Sequence, residues 1–423
     1  MACVGSAVGL GNIWMFPYRL GQYGGGAFLL LYLFFVVLFG WVGLSAEIGL
    51  GRMAGTGTNG AYEYCFAARD RKKLGGAIGW IPLMGSLGIA VGYAVILGWV
   101  LHSLAGAATG VLMTADPAAF FQQAAADWGN PVWHTVIVAV VCFMLMFGVT
   151  GGIERANKVM MPLFFFLFLA LSVWVAVQPG ALAGYRFLFV PDWSKLLEAD
   201  TWVMAIGQAF FSLSITGSGM IVYGAYLSRA EDIPKATLRT AGFDILSALL
   251  SALVIVPAAF AYGGQVDQGP SLMFITVPQI FQKMPMGRLF AVFFFLSVAF
   301  AGITSLINMF EAVVESWQRR FRLGRRTAVL LCSALTLGVG LLIEGEARVS
   351  RWMDFITIVV TPLGALLGAV SVYYVLGWPR LRAELQTGRR KPIGPLFGAV
   401  GKYVYVPLTL LVVILGFVYG GIG

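Results

Sequence analysis

Eleven apolar runs, each roughly the length needed to cross a bilayer, leave this 423-residue chain few ways to fold. About 20 apolar residues in a helix span the hydrocarbon core. Inside it every backbone N–H and C=O must find a partner within the protein, which selects helices over open strands. The runs fall at about 1–22, 26–52, 75–107, 132–150, 156–178, 201–228, 237–264, 288–318, 327–344, 352–379 and 403–421. Only 11% of residues are charged, against about 25% in soluble domains. The chain is therefore read as an all-α integral membrane protein.

The net charge of +9 is spread over loops rather than gathered in one patch, which argues against nucleic acid. Of 28 Lys and Arg, 21 lie in the loops after runs 2, 4, 6, 8 and 10. The positive-inside rule makes that side cytoplasmic, with the N-terminus inside and the C-terminus outside. The chain opens directly into an apolar run, and no signal peptide is read there. Cys3, Cys142 and Cys332 lie in apolar runs and Cys65 in a basic loop, so no disulfide framework is indicated. His102 and His134 stand alone at segment ends and read as interfacial residues, not metal ligands. The segment Gly263–Arg288 is long for a loop, with a proline-flanked apolar stretch from Pro270 to Pro285; it reads as a short helical hairpin on the outer face, a lid or an inert packing element.

Two of the runs are poor straight helices. Gly5-Ser6-Ala7-Val8-Gly9-Leu10-Gly11-Asn12 and Ser212-Leu213-Ser214-Ile215-Thr216-Gly217-Ser218-Gly219 are crowded with glycine and hydroxyls. Each glycine weakens a helix interior by about 1 kcal/mol relative to alanine. The two stretches interrupt runs 1 and 6, the first runs of the two halves, and an odd number of runs per half makes runs 1–5 and 6–10 match in order but lie antiparallel. That is an inverted repeat, and paired interruptions in its halves point to a binding site at membrane depth. The halves are taken as 1–178 and 201–380, with run 11 outside them in 396–423.

Asp244 sits in run 7 among Ala241-Gly242-Phe243 and Ile245-Leu246. A carboxylate there needs a cation, donors or a proton, and such residues mark function by default. An oxygen-rich set of carboxylate, amide and hydroxyls suits a hard cation. Glu47 and Glu311 lie nearer the cytoplasmic ends and read as structural. No nucleophile–base set or metal-ligand cluster is visible at membrane depth, so the chain is not read as an enzyme.

Gly5–Tyr18, reading GSAVGLGNIWMFPY, resembles the signature of the neurotransmitter:sodium symporter family. The resemblance continues through Tyr23–Phe28, Glu47–Arg52, Gly207–Ser214, Tyr223–Leu227 and Phe300–Ser305, covering nearly the whole chain in order. The eleven-run form resembles the bacterial members. The resemblance implies a 5+5 inverted-repeat fold with discontinuous helices 1 and 6 plus helix 11, in a bacterial inner membrane. It implies import of a small neutral amino acid coupled to one or two Na⁺, by a monomer or loose dimer. A same-fold carrier for another small solute, and a transport-impaired sensor or channel-like relative, are the alternatives.

Carried onto this chain, the resemblance implies one Na⁺ site at Ala7, Asn12, Ser212 and Asp244, where the family more often has Asn at the last position. A second would use Gly5, Val8, Ala301, Thr304 and Ser305. The substrate carboxylate would meet Leu10, Gly11 and Tyr93, and its ammonium Ala7, Phe211, Ser212 and Ser214. Ile89, Phe211, Thr216, Gly217, Leu306 and Met309 would line a pocket whose floor opens at Gly217, favouring a hydrophobic or aromatic side chain. Tyr93 and Phe211 would close over it. Met15 replaces the family's gate arginine, so Arg19, one turn on, is expected to reach Asp354 instead. The chain begins inside the first half-helix, where the family's Arg–Trp latch is expected upstream, and Arg319 stands where its partner acid would be; a misassigned start or a truncation is the reading of that. Ala248 stands where chloride-dependent members carry Ser; with Tyr32, Gln208 and Ser212 retained, the charge of Asp244 is expected to replace chloride.

Overall fold

The computed structural model describes residues 5, 7–264, 266 and 272–420. Cys3 and Pro270 lie outside them, as does the last part of run 11 beyond 420. Helix α1 runs over 11–22, α2 Gly26–Ala54, α3 Lys72–Thr109, α4 Pro131–Met146 and α5 Gly151–Ala176. The sixth run is two helices, α6 Ala199–Ser212 and α7 Gly219–Tyr226. Then follow α8 Ile233–Tyr262, α9 Gly287–Phe321, α10 Arg325–Leu342, α11 Glu346–Gln386 and α12 Pro395–Tyr419. Eight of these are long and apolar enough to cross a membrane, α4 is shorter, and the rest are the interrupted pair. Each apolar run read from the sequence thus has its helix.

The interruptions fall where glycine and hydroxyls accumulate. In run 1 the helix lapses at Val8 and Gly9 and resumes with a wide π-helical turn over Gly11–Met15. α6 ends at Ser212 in a Schellman-type stop: Ser214 N–H donates to Phe211 O at 3.0 Å and Ile215 N–H to Phe210 O at 3.2 Å, with Ser214 left-handed at φ +54°. Ile215 and Phe210 are both buried, as that motif's closing apolar contact requires. The chain then turns through Gly217 at φ +72° into α7.

Three side chains hold the break in place of helix hydrogen bonds. Glu47 Oε1 accepts Gly217 N–H at 2.8 Å, Tyr62 Oη donates to Gly217 O at 3.1 Å, and Thr58 Oγ1 and Ser218 Oγ lie 2.9 Å apart. Glu47 is thus structural. Glu311 is too, bridged to Arg325 at 2.7 Å and accepting from Tyr226 Oη at 2.8 Å.

The apolar interior forms two clusters. One joins α3, α4, α5, α9 and α10; the other joins α2, α6 and α12; α8 and α11 contribute to both. Run 1 contributes Val8, Leu10 and Ile13 to the first and Ala7, Phe16 and Leu20 to the second. Run 1 therefore lies along the seam between the two clusters, which α7, α8 and α11 also cross.

Two local expectations need revision. His134 is fully buried, its ring against Gly340 and its Nδ1 3.8 Å from Glu344 Oε1, so it is a core residue of α4 and not interfacial. Among the described residues the outer-face segment is one helical stretch, Leu272–Lys283, and not a hairpin, and it is firmly seated: Gln282 Nε2 donates to Leu112 O and Ala115 O at 2.7 and 2.8 Å.

Candidate functional site

Asp244 is fully buried on α8, and its carboxylate is held by donors from three other helices. Asn12 Nδ2 donates to Oδ1 at 2.7 Å; Tyr32 Oη and Ser212 Oγ reach Oδ2 at 2.8 and 3.0 Å. Asn12 is itself fixed by Gly9 N–H, which donates to its Oδ1 at 3.0 Å. Gln208 Nε2 caps Gly11 O at 3.0 Å. The break in run 1 thus brings the Gly11 carbonyl to Gln208 of α6 and the Asn12 amide to Asp244 of α8. Asn12, Ser212 and Asp244 come together as expected, and Ala7 lines the adjoining cavity.

A second cluster has no charge. Ser305 Oγ on α9 donates toward Val8 O at 3.0 Å and Gly5 O at 3.4 Å. Thr304 Oγ1 donates to Ala301 O at 2.9 Å. All five residues expected there are linked in these two pairings. Three carbonyls and two hydroxyls are five oxygens, a neutral set suited to a monovalent hard cation. Gly9 permits the close approach: a methyl on it would stand 2.7 Å from Ser305 Oγ and 2.8 Å from Tyr93 Oη. Asn157, not picked out in the sequence, packs against Gly5 from α5, its Nδ2 donating to Ile153 O at 2.9 Å.

Between the clusters lies a cavity of about 80 Å³. Tyr93 Oη accepts Leu10 N–H at 2.7 Å at its edge. Ala7, Gly11, Ile89, Tyr93, Phe211, Ser212, Ser214, Thr216 and Met309 line it as expected. Leu10, Gly217 and Leu306 do not; the Leu10 N–H is taken up by Tyr93 Oη. A side chain at Gly217 would stand 2.8 Å from Tyr62 Oη and closer still to Gly364 O, so glycine is there for φ and packing, not for an open floor. Leu306 is wholly buried in the α3–α9 cluster. Ser86, Asn308, Thr357 and Thr361 also line the cavity; the sequence offered no signal for them, since Ser and Thr in apolar helices usually bond their own backbone.

The outer pair is not formed in this conformation. Arg19 is buried, with Nε 3.5 Å from Tyr18 Oη, whereas Asp354 is exposed, and no ion pair between described residues joins them. On the opposite side Arg52 is buried and clamps Glu384 at 2.5 Å together with the carbonyls of Glu231 and Glu384 at 2.7 Å.

A broken helix pair, a carboxylate cluster, a carbonyl–hydroxyl cluster and a small cavity between them agree with the comparisons to known proteins. The model of the Sodium:neurotransmitter symporter family matches residues 1–121 and 118–419. The chain belongs to this family. It is 32% identical over 437 residues to an uncharacterised sodium-dependent transporter of Bacillus subtilis, covering 99% of this chain and 95% of that protein. It is 26% identical to the sodium-dependent dopamine transporter of Bos taurus, over 92% of this chain and 64% of that one. The crystal structure of MhsT in complex with L-phenylalanine superposes with a TM-score of 0.87 at 30% identity, covering 98% of this chain and 97% of that one. The symporter thus has the 5+5 inverted-repeat fold with discontinuous helices 1 and 6 and one further helix. It is a multi-pass membrane transporter of a sodium-dependent family, acting on a small molecule; its family is one of transporters and not of enzymes.

Proposed function

We propose that this symporter imports a neutral amino acid with a largely apolar side chain, driven by Na⁺ bound at both clusters. The reading rests most on one observation: two oxygen clusters of different charge flank a single cavity whose edge carries a free-standing helix end. Leu10 and Gly11 sit at the start of the resumed helix, where N–H groups and the helix dipole favour a carboxylate. The end of α6 offers carbonyls that favour an ammonium. Ile89, Phe211, Ile215 and Met309 give the remaining wall an apolar lining. The MhsT structure, similar over nearly its whole length, holds L-phenylalanine.

In this reading Na⁺ at the first cluster meets Asp244, Asn12, Ser212, the Ala7 carbonyl and the substrate carboxylate, which couples the ion to the substrate directly. Na⁺ at the second meets Gly5, Val8, Ala301, Thr304 and Ser305 and ties run 1 to α9. That contact bridges the break in run 1 and α9, so loading the site favours the arrangement in which the two lie together, as a ligand with differential affinity must. The two repeats are taken as 1–178 and 201–380. Tyr32 and Ser212 already donate to Asp244. A fixed carboxylate there supplies the negative charge that chloride would bring, so transport needs no chloride. The membrane is taken as a bacterial inner membrane, and the 21 basic residues in alternate loops support a cytoplasmic N-terminus and an outer C-terminus.

The test is uptake of radiolabelled neutral amino acids into proteoliposomes with and without an inward Na⁺ gradient. Concentrative, Na⁺-dependent uptake supports the reading; facilitated flux that ignores Na⁺ overturns it.

A further inference from the structure

The cavity wall is not wholly apolar. Asn308 on α9 lines it, is 2% exposed, and neither its Nδ2 nor its Oδ1 has a hydrogen-bond partner. Thr361 on α11 lines it as well, and its Oγ1 is buried without a partner. Their neighbours on the wall are satisfied: Thr357 donates to Met353 O at 2.8 Å, Ser212 to Asp244, and Ser305 to Val8 O. An amide that must give up water and gains nothing costs roughly 1–3 kcal/mol. Such groups persist where something outside the chain completes them.

Asn308 is three residues from Ser305 and adjacent to Met309, so it belongs to the helix face that forms the cavity. The groups that suit the substrate's carboxylate and ammonium come from run 1 and from the end of α6. The amide of Asn308, from α9, is a further polar group beside an apolar wall of Ile89, Ile215 and Met309. An amide offers one donor side and one acceptor side, so it pairs with a hydroxyl in either sense.

We propose that Asn308, supported by Thr361, is a specificity residue that hydrogen-bonds a polar group carried on the substrate's side chain. The substrate class is then a neutral amino acid whose side chain has an apolar body and a hydroxyl. This rests on the amino acid reading above and narrows it. A site built to bond a hydroxyl rejects the analogue lacking it more strongly than an apolar pocket rejects one methylene, because the analogue leaves the buried amide unpaired.

The experiment measures Na⁺-dependent binding of two matched pairs, L-tyrosine with L-phenylalanine and L-threonine with L-valine, to the purified protein by calorimetry. Each pair differs by a hydroxyl, at nearly constant shape. In the unmodified protein the hydroxylated member of at least one pair binds roughly tenfold tighter or better. In Asn308→Leu, close in volume and without donors or acceptors, that ratio collapses to within about threefold, mainly through tighter binding of the apolar member. Asn308→Ala is read beside it, and continued Na⁺-dependent binding of the apolar member reports that the variants are folded. No hydroxyl preference in either pair, or a preference that survives both variants, overturns this inference and leaves the amino acid reading standing. Failure of all four to bind in Na⁺ overturns the amino acid reading itself.

Discussion

The two oxygen clusters flanking the cavity solve different problems. Around Asp244 a charged group is kept at membrane depth by three donors from α1, α2 and α6 at 2.7 to 3.0 Å. Around Ser305 there is no charge at all, only carbonyls released by the break in run 1 and the hydroxyls of α9. The first cluster is therefore over-determined: truncating Asp244 takes the shared acceptor from three buried donors, leaving only the 3.3 Å contact of Asn12 Nδ2 with the residue 244 carbonyl and the 3.2 Å contact between the Tyr32 and Ser212 hydroxyls. The second is soft, because each hydroxyl can turn back to its own helix, as Thr304 already does toward Phe300 O and Ala301 O. A stiff charged site beside the substrate and a soft neutral site between run 1 and α9 suit separate tasks, coupling and conformational control.

The largest effect that would break this contrast is at the charge. Asp244→Ala is expected to reduce Na⁺-driven uptake to background, since each stranded donor costs about 1–3 kcal/mol and the ion loses its only carboxylate from the protein. Asp244→Asn is the sharper variant. It keeps the shape and removes the charge, so uptake is expected to survive only with chloride present; uptake indifferent to chloride in that variant would show that the carboxylate does not stand in for an anion. Next comes the soft site. Thr304→Val combined with Ser305→Ala should raise the Na⁺ concentration for half-maximal uptake by roughly tenfold, about 1.4 kcal/mol, while substrate affinity at saturating Na⁺ changes little. An equal loss in both would mean that the two clusters act as one.

Glu47 tests the frame rather than the ions. Glu47→Ala strands Gly217 N–H beside the break and is expected to cost about 1–3 kcal/mol of stability, read as a lower unfolding temperature in detergent. The Na⁺ dependence of the folded fraction should be unaltered. The smallest effect is expected from replacing chloride by gluconate with the unmodified protein, where uptake should change less than twofold.

Much of this arrangement was legible in the sequence because a membrane limits the choices. Run lengths alone place the long apolar helices, though not the shorter ones at Thr58–Ala67, Pro117–Ala124 and Ala181–Phe189, and a lone carboxylate among apolar residues at Asp244 announces itself by contrast. The glycine-rich stretches mark both breaks. Gly5, Val8 and Ala301 were legible only through the family resemblance, since a carbonyl has no side-chain signature. Gly217 misled because a glycine needed for φ +72° looks the same in sequence as one that makes room. Asn308 and Thr361 went unnoticed because a polar residue in an apolar helix does not say whether it bonds its own backbone or a ligand. Arg19 and Asp354 share a plausible spacing, yet one is buried beside Tyr18 and the other is exposed.

The central claim is that a gradient of Na⁺ drives a neutral amino acid through this cavity with Asp244 as the coupling carboxylate. Its most direct test is uptake of a labelled set of neutral amino acids into proteoliposomes, comparing an inward Na⁺ gradient with its absence, for the unmodified chain and Asp244→Ala. Accumulation above equilibrium that requires the gradient and vanishes in Asp244→Ala is the predicted result. Accumulation that persists in Asp244→Ala, or that runs equally well without Na⁺, would contradict it.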